Sequence, residues 1–284
     1  FEVTGADSDT TSKYWALFGQ ATWNISDAWK LVLGGRYSDE RVRTLGETRS
    51  NTVVTGTNNR RTSFTDFSPR VTLSFKTSEL GMIYATASKG FKSGGTQTSG
   101  TAQLRNQYDP EELWNYELGW KTELMDRRVR LDLSAFYMDW KDVQQFIRFQ
   151  FIDPNTQLLR AVTGVDNATS ATSKGIEFNV EALVSDSLRV GGQVGYLDAH
   201  YGQYSNALID GTVINASGKR LINAPEWTIG AHAEYSREVF GGNDGFVRAE
   251  WTHRSDQLSS TFALRYAVFP FISPSYDVAN LRAG

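Results

Sequence analysis

The feature that most constrains this chain is an alternation of apolar and polar side chains, sustained over spans of roughly ten residues. In residues 14–25, Trp15, Leu17, Gly19, Ala21, Trp23 and Ile25 share one face, and Gln20, Thr22 and Asn24 the other. After a turn at Ser26-Asp27, Trp29, Leu31, Leu33, Gly35 and Tyr37 answer them, opposed by Lys30, Gly34, Arg36 and Ser38. Successive side chains of a strand point to opposite sides, so each span is a strand with one apolar face. The pattern returns at 71–75, 114–124, 129–137, 176–182, 188–196, 227–235 and 247–251, and begins again after Pro274. Together with a less regular span at 82–91, this predicts about ten full strands and the start of an eleventh.

Charge placement says what the apolar faces meet. Lys30, Arg36, Arg70, Glu117, Lys121, Arg130, Asp132, Glu181, Arg189, Glu234, Arg248 and Glu250 all fall opposite the apolar face. A charge facing lipid at mid-bilayer costs about 2–4 kcal/mol, so two or three misplacements would rival a typical net stability. Lys89, in the irregular span, has no assigned face. Aromatics form two levels: Trp23 and Trp29 flank the first turn, and Trp15 and Tyr37 stand eight residues further along. At about 3.3 Å per residue and a tilt near 40° that is roughly 20 Å of height, which fits an apolar band of about 25 Å between interfacial girdles.

Connections alternate in length. Short links are predicted at Ser26-Asp27, 77–80, Met125-Asp126, 185–187 and 238–244, and long polar loops at 39–63, 92–110, 152–172, 201–223 and 255–273. Short turns on one side and long loops on the other describe an antiparallel transmembrane β-barrel, whereas a soluble sandwich mixes them. With 36 aromatic residues among 284, only 6 Pro and no Cys, the chain is all-β in character and lacks thiolate metal sites and thiol nucleophiles. The net charge of −3 carries no basic stripe for nucleic acid, and no apolar run is long enough for a transmembrane helix.

Several segments resemble the β-barrel of TonB-dependent outer-membrane receptors: YATASKGFKSGG at 84–95, the block from Asp109 to Trp140, Asp166-Asn167-Ala168, SKGIEFNVEA at 173–182, LINAPEWT at 221–228 and the final SPSYDVANLRAG. Their order and spacing carry the likeness, which covers nearly the whole chain. It implies a barrel of about 22 strands around a plugged lumen, of which residues 1–284 supply half. The expectation is therefore a partial barrel domain, with the plug domain, the TonB-engaging segment and the C-terminal strands absent. The implied function is active import of a scarce solute such as a ferric siderophore across a Gram-negative outer membrane. The implied partners are outer-membrane lipid, the plug, the TonB complex and the ligand.

No enzyme, cofactor or metal site is expected. His200, His232 and His253 are too scattered for a metal motif, and Gly94-Gly95 reads as a bend rather than a phosphate loop. The sequon at Asn167-Ala168-Thr169 reads as chance. Phe91, Tyr108, Tyr201, Tyr204 and Phe271 are loop aromatics able to meet a ligand, but no ligand-contacting residue is assigned. Three alternatives stay open: a passive porin-like channel, an outer-membrane enzyme with a serine and acid beside His200 or His253, and a soluble sandwich.

Overall fold

The computed structural model describes every residue except 1–3, 51–52, 78–80, 98–103, 153–156, 158, 169, 240, 243, 267, 269 and 270. Eleven strands form one continuous antiparallel sheet in chain order: β1 (Thr4–Asn24), β2 (Trp29–Ser50), β3 (Val53–Thr77), β4 (Gly81–Lys92), β7 (Glu111–Leu124), β8 (Val129–Lys141), β11 (Ser170–Ser185), β12 (Leu188–Tyr201), β15 (Trp227–Glu238), β16 (Asp244–Arg254) and β19 (Tyr276–Ala283). The intervening numbers are loop hairpins: β5 (Gly95–Thr96) with β6 (Gln107–Tyr108), β9 (Gln144–Ile152) with β10 (Leu159–Asn167), β13 (Ala207–Ile209) with β14 (Thr212–Ile214), and β17 (Gln257–Leu258) with β18 (Ile272–Ser273). One helical turn, α1 (Ala263–Tyr266), lies in the last loop. Every alternating span of the sequence is one strand of the large sheet.

Hydrogen bonding at the short turns explains their tightness. The Ser26 hydroxyl accepts from the N–H groups of Ala28 and Trp29, at 3.3 and 3.2 Å, and the Ser185 hydroxyl accepts in the same way from Ser187 and Leu188. A serine that mimics a backbone acceptor closes a hairpin without glycine. At the third turn, Met125, Asp126 and Arg127 all adopt positive φ, and Arg128 N–H donates to the Met125 carbonyl at 3.0 Å.

The apolar face is turned outward. Leu17, Trp23, Leu118 and Ile176 are 50–72% exposed, as expected of side chains whose solvent is lipid. The two aromatic levels are real: Trp29 packs on Phe75 with centroids 4.6 Å apart near the short turns, while Trp15 packs on Tyr37 at 5.5 Å and Tyr196 on Trp227 at 4.8 Å near the other end. Several apolar or aromatic side chains break the alternation, among them Val32, Tyr84 and Phe136 on the inner face. Phe18 lies on the inner face opposite Arg36, yet is 77% exposed.

The long-loop end departs from expectation. Residues 39–50 and 53–63 are strand, not loop, because β2 and β3 pair in register from Trp29↔Phe75 to Ser50↔Val53, with one irregularity at Thr48 and Arg49. Both faces are polar there, so no apolar period marks them. The predicted loop at 152–172 contains β10 and the start of β11, and 201–223 contains the β13–β14 hairpin.

Candidate functional site

Register places the inner-face charges in lateral rows. One row crosses seven strands from β7 to β19: Glu123, Arg130, Glu181, Gly191, His232, Glu250 and Asn280 are successive direct partners. Signs alternate along Glu123, Arg130 and Glu181. Arg130 bonds Glu123 at 2.8 Å, and His232 Nε2 reaches Glu181 Oε1 at 3.3 Å across the strand that carries Gly191. Beside that row, Arg248 lies between Glu250 at 2.7 Å and Glu234 at 3.3 Å, and Arg282 reaches Glu250 at 3.4 Å. Water-exposed pairs contribute only about 0–1 kcal/mol each, less than the cost of one charge facing lipid. The rows therefore hydrate and neutralise the wall more than they stabilise it.

Glycines keep the wall flat. Gly119, Gly175 and Gly191 stand directly opposite Tyr84, Phe136 and His232, and any Cβ at these positions would run into the facing side chain. Tyr84 lies over Gly119 and donates to Glu117 at 2.5 Å. Large inner side chains thus lie along the sheet rather than across the lumen.

At the other end, three loops fuse into a packed cap. Val143, Ile209, Ala216 and Leu264, from the connections after β8, β12 and β16, belong to one buried cluster with Ala171 at the start of β11 and Tyr201 at the end of β12. The Tyr201 hydroxyl donates to Gln145 Oε1 at 2.8 Å, and burial pushes both the Tyr201 and Tyr204 phenols up. Tyr201 and Tyr204 are thus 1% and 3% exposed and form core, not a ligand-facing surface. Phe91, Tyr108 and Phe271 are half-buried, with Phe271 stacked on Phe262 at 5.3 Å.

Side-chain amides staple the cap together. Asn167 donates to the carbonyls of Asp109 and Asp142, at 3.0 and 2.7 Å, and accepts from Asp109 N–H and the Arg105 guanidinium, at 2.9 and 3.2 Å. This structural use of the amide accounts for Asp166-Asn167-Ala168. Beside it, burial holds the Asp166 carboxyl above its usual range. Gly94 and Gly95 are needed for close approach rather than a bend: a Cβ would meet Phe64 Cε1 at 2.8 Å and Tyr108 Cζ at 2.5 Å respectively. Lys89 is tied to Asp66 at 2.8 Å and Glu112 at 2.9 Å, which resolves its place.

The histidines remain apart. His200 pairs with Asp198 at 2.6 Å, His232 with Glu181, and His253 with Asp277 at 3.1 Å. Among the described residues, no group of three or more His, Asp or Glu is arranged to hold a metal ion.

Comparison with known proteins places this architecture. The family described as TonB dependent receptor-like, beta-barrel matches residues 3–284. A metal-pseudopaline receptor, CntO, of Pseudomonas aeruginosa is 28% identical over 234 residues, covering 82% of this chain and 28% of that protein. A probable TonB-dependent siderophore receptor, PiuA, of Acinetobacter baumannii is 27% identical over 259 residues, covering 83% of this chain and 33% of that protein. The chain thus spans about a third of the length of these curated relatives. The solved ferric yersiniabactin uptake receptor FyuA of Yersinia pestis superposes with a TM-score of 0.76 at 16% identity, over 99% of this chain and 39% of that one. Eleven two-faced strands in chain order, matched along nearly their whole length, make this chain part of the β-barrel of the TonB-dependent receptor family.

Proposed function

We propose that this chain forms about half the wall of an active importer in a Gram-negative outer membrane, taking up a metal chelate such as a ferric siderophore. The observation that carries the reading is the two-faced sheet: lipid-suited residues outside, charged residues inside, and a packed loop cap above one end. The names of the relatives, a metal-pseudopaline receptor and a probable siderophore receptor, supply the solute class. A hydrated wall whose charges are paired with one another from β7 to β19 holds a polar solute weakly there, so release is controlled elsewhere. A plug domain inside a barrel of about 22 strands, moved through TonB, supplies that control. Phe18, a bare aromatic on the inner face, is suited to meet such a plug.

Uptake of a radiolabelled ferric chelate by iron-starved cells tests this. Deleting the gene that encodes this chain, or TonB, is expected to abolish uptake. Unchanged accumulation in the TonB deletion would overturn energy-coupled import, and free passage of small sugars in its place would support a passive channel.

A further inference from the structure

The outer face above the aromatic level is not uniform. On β1, β2 and β3, the positions continuing the lipid-facing series beyond Trp15, Tyr37 and Phe67 include Lys13, Arg41, Arg43 and Arg61, together with Asp39 and, farther out, Asp9 and Glu47. Register sets Lys13 directly opposite Arg41, and Arg43 directly opposite Arg61. All four are exposed, whereas Val42, Thr44 and Phe64 on the reverse face are buried, so the cations point outward. At about 3.3 Å per residue and a tilt near 40°, they stand roughly 5–15 Å above the belt, at headgroup depth. They flank a trough of about 610 Å³, and Asp39, 3.3 Å from Arg41, is the sole acid lining it.

Like charges directly opposite one another destabilise a sheet unless a counter-charge joins them. Elsewhere on this outer face the protein supplies its own: Lys174 pairs with Asp198 at 3.2 Å, and His253 with Asp277 at 3.1 Å. The β1–β3 patch is compensated only in part: Arg41 pairs with Asp39 and Arg43 donates to Asn59 Oδ1 at 3.1 Å, which sets four cations against one carboxylate among the described residues lining the trough. We infer that Lys13, Arg41, Arg43 and Arg61 form a docking site for the phosphate groups of an anionic glycolipid headgroup in the outer leaflet. Arginine forks suit phosphate bidentately, and the adjoining Trp15, Tyr37 and Phe67 offer the acyl chains an apolar surface just below. The inference rests on the membrane reading given above.

The test is binding of fluorescent bisphosphorylated lipid A to the full-length receptor in detergent micelles. The variant combining Lys13→Gln, Arg41→Gln, Arg43→Gln and Arg61→Gln is expected to bind about a hundredfold more weakly, since each cation near an anionic surface contributes on the order of a few-fold or more. Should that variant fail to fold, the pair Arg43→Gln and Arg61→Gln is expected to lose about tenfold on the same grounds. Lys174→Gln should bind as the parent does, and dephosphorylated lipid A should bind the parent as weakly as lipid A binds the quadruple variant. Equal binding of lipid A by parent and substituted receptor overturns the proposal. So does complete competition by inorganic phosphate at concentrations matching the lipid, which marks a free-anion site. A receptor that inserts into bilayers but ignores the phosphates sinks this proposal alone; one that remains in buffer sinks the membrane reading beneath it.

Discussion

In the wall, Leu17, Leu118 and Ile176 are 72%, 58% and 50% exposed, while in the cap Tyr201, Ile209 and Leu264 are each 1% exposed. One chain thus follows two solvent rules. The strands hand their apolar side chains to lipid and bury little against one another, relying on backbone ladders that satisfy the polar groups between neighbouring strands. The loops stand in water and must build their own core. The difference teaches that cap and wall should fail separately.

Tyr201→Ala breaks the comparison on the cap side and has the largest expected effect. Removing a fully buried aromatic costs about 3–5 kcal/mol, so the loops should become open to protease while the strand circular dichroism of the wall is kept. Loss of both signals together would show that the two regions are one cooperative unit.

On the wall side, Leu118→Arg places a charge in lipid at a cost of about 2–4 kcal/mol. The yield of membrane-assembled receptor should fall, whereas Glu117→Arg on the neighbouring inner position should assemble nearly as the parent does. Equal losses from the two would contradict the assignment of faces.

Asn167→Ala sharpens the picture of the cap by removing its amide staple. It strands the Asp109 N–H and the Asp109 and Asp142 carbonyls, at about 1–3 kcal/mol in all. Faster hydrogen exchange confined to residues near 109 and 142–167 is the expected readout.

The smallest effect is one of pH. Burial raises the Asp166 carboxyl above its usual value, so the folded cap takes up a proton before the unfolded loops do. The sign follows: as pH falls through the raised value toward the ordinary one near about 3.9, this group's penalty is relieved and the cap gains relative stability. Asp166→Asn should remove that contribution, as read in loop proteolysis at graded pH. A gain in stability with rising pH that Asp166→Asn abolishes would reverse the account.

The same division governs what the sequence makes legible. Wall strands are legible because lipid enforces a period of two at every position, as in Val129, Leu131, Leu133, Ala135 and Tyr137. The outer halves of β2 and β3 escape notice because, above the membrane, Arg41, Arg43 and Glu47 no longer alternate with anything that lipid selects. The inner rows depend on register across seven strands, which fixes partners such as Glu181 and His232 some fifty residues apart and leaves no local trace. Tyr201 and Tyr204 look like free loop aromatics for the same reason: their core is assembled from three separate connections. The opposition of Gly119 to Tyr84 could have been anticipated, since both are inner-face residues on neighbouring strands.

The central claim, that one face of this sheet lies in lipid, is best tested by scanning β8. These 284 residues hold no cysteine, so single cysteines at 131, 132, 133, 134 and 135 can be introduced into the membrane-inserted receptor without background from this part of the wall, any cysteine elsewhere in the receptor being replaced first. The account predicts that Leu131→Cys, Leu133→Cys and Ala135→Cys respond to a lipid-phase probe, and that Asp132→Cys and Ser134→Cys react with a water-soluble one. Uniform reaction with the water-soluble reagent at all five positions would contradict it.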